Sequence, residues 1–259
     1  MTMSEEMSQE RKSVYFLLVL GCLYFAQGLP FGLLARALPA LAREAGLGRA
    51  YIGLLALPAA PWALKFLWAP FVDRMGAGAP WHRKRWIIAC QLSASLLLVV
   101  VASLDESRLL GDRWWLLLLM LTLLNTVCAT QDIATDGLAT RWLPLEWRGL
   151  GNSIQVTGYK VGLMLGGASI LMLTASLGWH ATLMLAALLL ILLLVPLLFW
   201  HEPLEAAESE ECSRYGWRWW LVMLAGLFRR PGMGLWLLVL MSYRTGEDFG
   251  AHMVKPWLV

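Results

Sequence analysis

The chain alternates between long apolar segments and short polar ones. Six of the apolar segments contain about twenty residues each, the length that crosses the hydrocarbon core of a bilayer. A segment in lipid must satisfy its backbone hydrogen bonds internally, so each is predicted to be a helix. The six predicted helices are residues 14–34 (an extension to Leu41 is left open), 51–71, 86–104, 114–142, 150–175 and 179–200. The pattern predicts an all-α membrane protein whose residues 1–200 form a six-helix transmembrane bundle.

A polar region follows the six-helix bundle. Residues 201–232 are predicted to be a cytoplasmic linker, with an amphipathic helix at about residues 217–230 that lies along the membrane surface. A further apolar segment, residues 233–259, is predicted to be transmembrane helix 7, the start of a second bundle. Since a single helix has nothing to pack against, we expect the chain to be truncated and the rest of the second bundle to be missing.

Composition and charge narrow the class. Hydrophobic residues make up 59% of the 259 residues and charged residues 15%, against about 25% charged in ordinary soluble domains. The net charge of +3 gives no reason to expect a nucleic-acid partner; the expected partners are the lipid bilayer and a small-molecule substrate. Twelve Lys and Arg residues lie on one side of the predicted topology and five on the other, so the N-terminus is predicted to be cytoplasmic.

Two aspartates in predicted helix 4 are the first candidates for chemistry. Asp132 and Asp136 are four residues apart and project from one helix face, which Asn125 shares. Two neighbouring carboxylates in a low dielectric cannot both carry charge cheaply, so one of them is expected to take up and release a proton. The alternative is structural, with the aspartates solvating the cytoplasmic end of the helix.

Two lysines lie within predicted helices, where an unpaired charge costs several kcal/mol. Lys65 can pair with Asp132, bind an anionic substrate, or extend to the cytoplasmic surface. Lys160 lies about 15 Å into helix 5 at 1.5 Å per residue, too deep to reach the surface easily, and is expected to face a water-filled cavity.

Polar residues at helical spacing mark three further faces. Helix 5 carries Asn152, Gln155 and Tyr159 on one face and the glycines 158, 162 and 166 on a neighbouring face suited to close helix packing. Tyr24 and Gln27 precede a proline kink in helix 1, which is typical of helices that line a transport cavity. Helix 7 contains Arg244, Glu247 and Asp248, which need a polar lumen or mutual pairing.

A charged loop connects predicted helices 2 and 3. It contains Asp73, Arg74, Arg83, Lys84 and Arg85. The simple interpretation is a cytoplasmic loop that sets the topology. The alternative is a gating loop that contacts neighbouring helix ends.

The chain resembles a known class of transporters. Six helices, the Asp73-Arg74 pair with its basic cluster and the long linker resemble the N-terminal half of a major facilitator superfamily transporter. Within it, residues 24–30, 65–74 and 131–136 (Gln131-Asp132-Ile133-Ala134-Thr135-Asp136) resemble the AmpG-like muropeptide permeases and the related acetyl-coenzyme A transporters.

This resemblance implies a function. It suggests a proton-driven symporter of the bacterial inner membrane that imports muropeptide-like or other polar anionic solutes by alternating access. Its driving force would be the proton gradient, with no cofactor or metal and no catalytic residue. The resemblance also favours Lys65, Asp132 and Asp136 as the central residues.

Three other interpretations stay open. The chain can be a carrier for another substrate, such as acetyl-coenzyme A or a sugar, because one fold serves many functions. It can be an inactive fragment of a transporter. The Asp132/Asp136 spacing also occurs in magnesium-dependent membrane prenyltransferases, although the further aspartates of that motif are missing here.

Overall fold

The structure is a computed structural model that describes residues 3–75, 81–201, 222, 226, 229–236, 238, 239 and 242. Within these ranges the chain is helical and contains no strand, which confirms the predicted all-α membrane protein. The chain divides into two units, Met1–Ala207 and Glu208–Val259. Most of the predicted linker and helix 7, including Arg244, Glu247 and Asp248, lies outside the described residues.

The described residues of the first unit form ten α-helices. They are α1 (Met3–Gly32), α2 (Leu38–Glu44), α3 (Arg49–Leu54), α4 (Ala60–Leu64), α5 (Ala69–Arg74), α6 (His82–Ala102), α7 (Glu106–Leu109), α8 (Trp114–Trp142), α9 (Arg148–Met164) and α10 (Ile170–Phe199). Two π-helical turns, Leu33–Ala37 and Leu165–Ser169, join α1 to α2 and α9 to α10. Three 3-10 turns are at Leu57–Ala59, Lys65–Leu67 and Leu145–Trp147.

Five stretches of these helices are long and apolar enough to cross a membrane: Arg11–Glu44, Arg49–Leu67, His82–Ala102, Trp114–Trp142 and Leu145–Phe199. The last contains 55 residues, or about 80 Å of helix, far more than the roughly 30 Å of a hydrocarbon core. Gly178 interrupts it with φ 82° and ψ 168°, a conformation that glycine adopts without steric cost. The stretch is therefore two crossings, and it divides where the sequence predicts helix 6 to begin.

The predicted second helix is not continuous. Instead of one helix over residues 51–71, the structure has three short helices, α3, α4 and α5, separated by 3-10 turns. Proline lacks the backbone N–H that an α-helix needs and its ring collides with the preceding turn. Pro58, Pro61 and Pro70 each lie within the first two positions of a short helical element. Prolines thus divide the segment, and Lys65 begins one of the turns.

Helices α1 and α9 pack with their backbones in contact. A Cβ atom on Gly162 would collide with the carbonyl oxygen of Phe25, and one on Gly166 with that of Leu29. Gly28 faces the carbonyl oxygen of Tyr159 in the same way. Small residues allow this close approach of membrane helices, so glycines on both helices set the packing of the bundle.

Hydrogen bonds fasten α10 to α6. Gln91 and Ser95 of α6 donate to the carbonyls of Leu190 (2.6 Å) and Ala187 (2.8 Å). At the end of α10, Lys84 Nζ donates to the carbonyls of Leu198 (2.8 Å) and Trp200 (2.6 Å). A lysine at this position satisfies carbonyls that the helix itself leaves unpaired.

Candidate functional site

The centre of the site is one lysine between two aspartates. Lys65 Nζ pairs with Asp132 Oδ2 and lies 3.7 Å from Asp136 Oδ2. The break after α4 places the lysine against α8, whose aspartates are one turn apart on the same face. Helix α8 continues to Trp142, so the pair is in the body of the helix and does not cap its end.

The two carboxylates differ in their surroundings. The Asp132 side chain is 8% exposed, whereas that of Asp136 is 40% exposed and that of Lys65 33%. Tyr24 donates its hydroxyl hydrogen to Asp136 Oδ1 at 2.7 Å, and Gln155 Nε2 lies 3.4 Å from the same oxygen. Asp132 is therefore enclosed while Asp136 is open on one side, and four helical segments contribute to the cluster.

Two tryptophans hold the Lys65 segment against α8. Trp62 donates its indole N–H to Asn125 Oδ1 at 3.0 Å, and Trp68 donates to Thr130 Oγ1 at 3.1 Å. These residues lie three positions before and after Lys65, so the lysine is fixed between two indole anchors. Sequence analysis missed both tryptophans, although their equal spacing around Lys65 was visible.

Three aromatic rings meet one turn away from the charges. The ring centroids of Phe31, Trp62 and Tyr159 lie 5.9 to 6.3 Å apart, within the range for favourable aromatic pairs. Lys65 Nζ is 5.9 Å from the Trp62 ring, which is within reach of a cation–π contact. We call these three rings the aromatic triangle. Phe31 and Trp62 were not among the predicted site residues.

The remaining predicted polar residues divide between the site and the helix core. Gln27 is buried and donates to Thr135 Oγ1 at 3.3 Å, beside the cluster; its Oε1 has no hydrogen-bond partner among the residues that the structure describes. Gln131 points away from Lys65 and donates to Gln91 Oε1 at 2.8 Å, inside the packing of α6 against α8.

Lys160 is not brought into the cluster. It is exposed and lies two residues from both Gly158 and Gly162, so it occupies the face of α9 opposite the glycines that contact α1. Within the described ranges it forms no salt bridge. Asn152 is also exposed, although Gln155 and Tyr159 reach the site.

The described parts of the predicted loop between helices 2 and 3 are the end of α5 and the start of α6. Arg83, Lys84 and Arg85 belong to the first turn of α6, and the two arginines behave differently. Arg83 donates to Asp73 Oδ1 at 3.1 Å and lies against Gly137 of α8, whereas Arg85 is exposed. Arg74 ends α5 and is half-buried. The structure therefore brings Asp73 and Arg83 close to the helix turn that carries Asp136.

Charge balance defines what the central cluster can do. With Lys65 protonated and both aspartates ionised, the cluster carries one net negative charge. A proton on either carboxylate makes it neutral and weakens the hold on Lys65. Binding or release of one proton by the cluster therefore changes how tightly Lys65 is held. An ionised group of this kind inside a membrane is by default a functional candidate.

Comparison with known proteins assigns the chain to a class of transport proteins. A family model described as acetyl-coenzyme A transporter 1 matches residues 14–177. The chain belongs to this family, which confirms the resemblance stated from the sequence.

Curated relatives give the same class. The chain is 31% identical to the anhydromuropeptide permease of Escherichia coli (strain K12) over 245 residues, which cover 94% of this chain and 48% of the relative. It is 26% identical to the putative transporter AmpG 4 of Rickettsia conorii over 254 residues, covering 95% of this chain and 60% of the relative. An uncharacterized protein of Schizosaccharomyces pombe is 29% identical over 175 residues, covering 65% of this chain and 32% of that protein. The chain spans about half the length of the curated relatives it matches. The names of the first two relatives and of the family model describe a permease and transporters, not enzymes.

Proposed function

We propose that the protein is a proton-coupled symporter that imports a polar anionic solute by alternating access. The observation that carries the proposal is the lysine held between two carboxylates, one enclosed and one open, on a membrane-spanning helix. Ionisable groups at such positions serve as proton relays in pumps and transporters. The relatives' names support transport as the general activity.

The coupling would work through Lys65. While Asp132 is ionised, it holds the ammonium group and competes with any other anion. Protonation of Asp132 removes that competitor, and Lys65 can then pair with an anionic solute that enters from the open side near Asp136. Loss of the proton restores the ion pair and expels the solute. A proton and an anion would therefore move together.

The substrate is proposed by chemistry and by the relatives. A muropeptide-like solute and acetyl-coenzyme A both carry anionic groups, and one relative is named for the first and the family model for the second. We favour a muropeptide-like solute, with acetyl-coenzyme A as the second candidate. The proposed location is the bacterial inner membrane, with a cytoplasmic N-terminus, and alternating access would need the second half that the relatives' length supplies.

An enzymatic alternative has less support. A magnesium ion between Asp132 and Asp136 would have to replace the ammonium group of Lys65, which occupies that position. An inactive fragment remains the other alternative, and measurable uptake by residues 1–259 alone would exclude it.

The test is uptake into proteoliposomes under an inward proton gradient, by the protein with both halves of the transporter present. Asp132→Asn is expected to reduce accumulation of a radiolabelled anhydromuropeptide at least about a hundredfold while solute exchange without a gradient continues, because the amide cannot carry the proton. Acetyl-coenzyme A is tested in parallel. Asp112→Asn, at an exposed position outside the spans, is the matched control. Unchanged accumulation by Asp132→Asn would refute proton coupling at this residue.

A further inference from the structure

The aromatic triangle has a feature that distinguishes it from ordinary core packing. The bundle contains many side chains that are almost completely enclosed, such as Leu33, Leu98 and Leu121. Each ring of the triangle is only half-buried although it touches the other two. The rings therefore present apolar surface that the described helices do not cover.

The exposed ring surface is held in a fixed orientation. The indole of Trp62 cannot rotate without losing its hydrogen bond to Asn125, and Asn125 is itself held by donation to the carbonyl of Leu121 at 2.9 Å. Phe31 and Tyr159 come from two other helices, α1 and α9, which are locked together by backbone contact. Preorganised rings of this kind bind a flat partner with little loss of side-chain entropy.

The triangle is continuous with the charged cluster. Trp62 is one turn before Lys65 on the same segment, and Tyr159 is one turn after Gln155, which reaches Asp136. A ring stacked on the indole at a normal contact distance of about 3.5–4.0 Å would thus have a cationic group beside it. Apolar ring surface next to a lysine suits a solute that combines a flat ring with a short anionic arm.

We infer that Phe31, Trp62 and Tyr159 form a ring-binding subsite, which receives the cyclic part of an anionic solute whose charge lies at Lys65. The inference rests on the proposed function, because it concerns the same site, and adds the residues that would select for a ring. Two solute classes share this chemistry: a pyranose with a carboxylate arm, which offers an apolar C–H face, and a purine nucleotide, which offers a π face.

Equilibrium binding to the protein in lipid nanodiscs tests the inference. Four probes are titrated by calorimetry: N-acetylmuramic acid (pyranose with a carboxylate), adenosine monophosphate (purine with a phosphate), D-lactate (carboxylate without a ring) and N-acetylglucosamine (ring without a charge). One of the two ring-bearing anions is expected to bind about tenfold or more tightly than lactate and N-acetylglucosamine, and its identity assigns the solute class. No preference for either ring-bearing anion would overturn the subsite.

Variants separate ring binding from simple anchoring. Trp62→Leu and Tyr159→Leu are expected to lower the affinity for the preferred ring-bearing anion about tenfold and to leave that for lactate unchanged. Trp62→Phe keeps a ring and is expected to retain most of the affinity. Trp68→Phe removes the equivalent indole hydrogen bond outside the triangle; it measures the cost of losing an anchor and should weaken lactate and the ring-bearing anion equally. Phe66→Leu removes an exposed ring from the same segment and should bind like the original protein.

Two outcomes contradict the inference. If Trp62→Phe, Trp68→Phe and Trp62→Leu all lose the same affinity, Trp62 acts only as an anchor for the Lys65 segment. If Trp62→Leu weakens lactate and the ring-bearing anion equally, the rings do not select for a cyclic solute. Binding is measured without a gradient, so a negative binding result does not change the uptake result of Asp132→Asn. In the same way, loss of proton coupling would leave the preference for a ring intact.

Discussion

Two spanning segments that meet at the aspartates of α8 are built in opposite ways. The apolar part of Arg11–Glu44 is 72% buried inside the bundle, whereas that of Arg49–Leu67 is 17% buried. The first segment is a long helix whose glycines bring its backbone against α9. The second is divided by prolines and held to α8 through the indoles of Trp62 and Trp68.

This difference separates a fixed part of the bundle from a part that can be adjusted. Where two backbones are in contact, no side chain can rotate to accommodate a shift of one helix. Packed interiors of this kind do not deform continuously. Side-chain hydrogen bonds can break and re-form one at a time. The segment that carries Lys65 is therefore the more suitable one to move during the proposed transport cycle, and α1 with α9 the more suitable frame.

The largest expected effect is at the glycine contact. Gly162→Ala should destabilise the protein by about 3 kcal/mol or more, because the new methyl group meets the backbone of Phe25 and Gly28 and the helices must separate. The measurement is the free energy of unfolding in mixed detergent micelles. Gly53→Ala is the control in the divided segment: a Cβ there meets nothing within 4 Å, so stability should stay equal or rise by up to about 1 kcal/mol. If the two changes had equal effects on stability, the first segment would not be packed more tightly than the second.

A smaller effect is expected for an indole anchor. Trp68→Phe should cost about 1 kcal/mol of unfolding free energy, because one hydrogen bond is lost. Thr130 keeps its own bond to the carbonyl of Thr126 at 2.7 Å, so no buried donor is left unpaired. Trp115→Phe, at a strongly exposed position, should change stability by less than about 0.5 kcal/mol. A loss as large as that of Gly162→Ala would show that the divided segment is as rigid as the helix frame.

The smallest effect is expected beyond the end of the first segment. Burial, together with the nearby carboxylates of Glu44 and Asp105, raises the pKa of Glu106, which lies in α7 between two spans. The stability that its protonated form provides is present below the ordinary carboxyl pKa and is lost as pH rises through the raised folded value. Glu106→Gln should reduce this pH-dependent loss of stability by less than about 0.5 kcal/mol, because the site is partly solvated.

Thermal unfolding in detergent at pH 4 and pH 7 measures the Glu106 effect. Glu146→Gln, in the exposed turn Leu145–Trp147, is the control. An unchanged pH dependence in Glu106→Gln would show that repulsion at the end of α2 does not contribute to stability. A large change would mean that the frame is sensitive to charge at its end as well as to volume at its glycines.

Sequence patterns predicted the helices better than their interruptions. Apolar segment length identified the spans because lipid leaves the backbone no alternative to internal hydrogen bonds. The boundary at Trp179 was also predicted, and the structure interrupts the helix at Gly178, the residue before it. The divided second helix was not predicted, because whether a proline kinks a helix or ends it depends on neighbours that supply replacement hydrogen bonds.

The candidate site was partly visible in the same way. Spacing placed Asp132 and Asp136 on one face of α8, because helical geometry alone determines that relation. Spacing could not show that Gln131 bonds to Gln91, or that Phe31 meets Trp62 and Tyr159, since these contacts join separate helices. The ion pair of Lys65 was one of several alternatives until the fold brought α4 against α8.

The lysine cap at the end of α10 constrains how the chain is threaded through the membrane. Lys84 Nζ lies within 2.8 Å of carbonyls at Leu198 and Trp200, so residues 84 and 200 are at the same bilayer surface. A chain whose two ends share one surface must traverse the bilayer an even number of times in between. With one traverse each for α6 and α8, the stretch from Leu145 to Phe199 must supply two. The hydrogen bond between Tyr15 and the carbonyl of Pro196 at 2.8 Å places the start of the first span at that surface too.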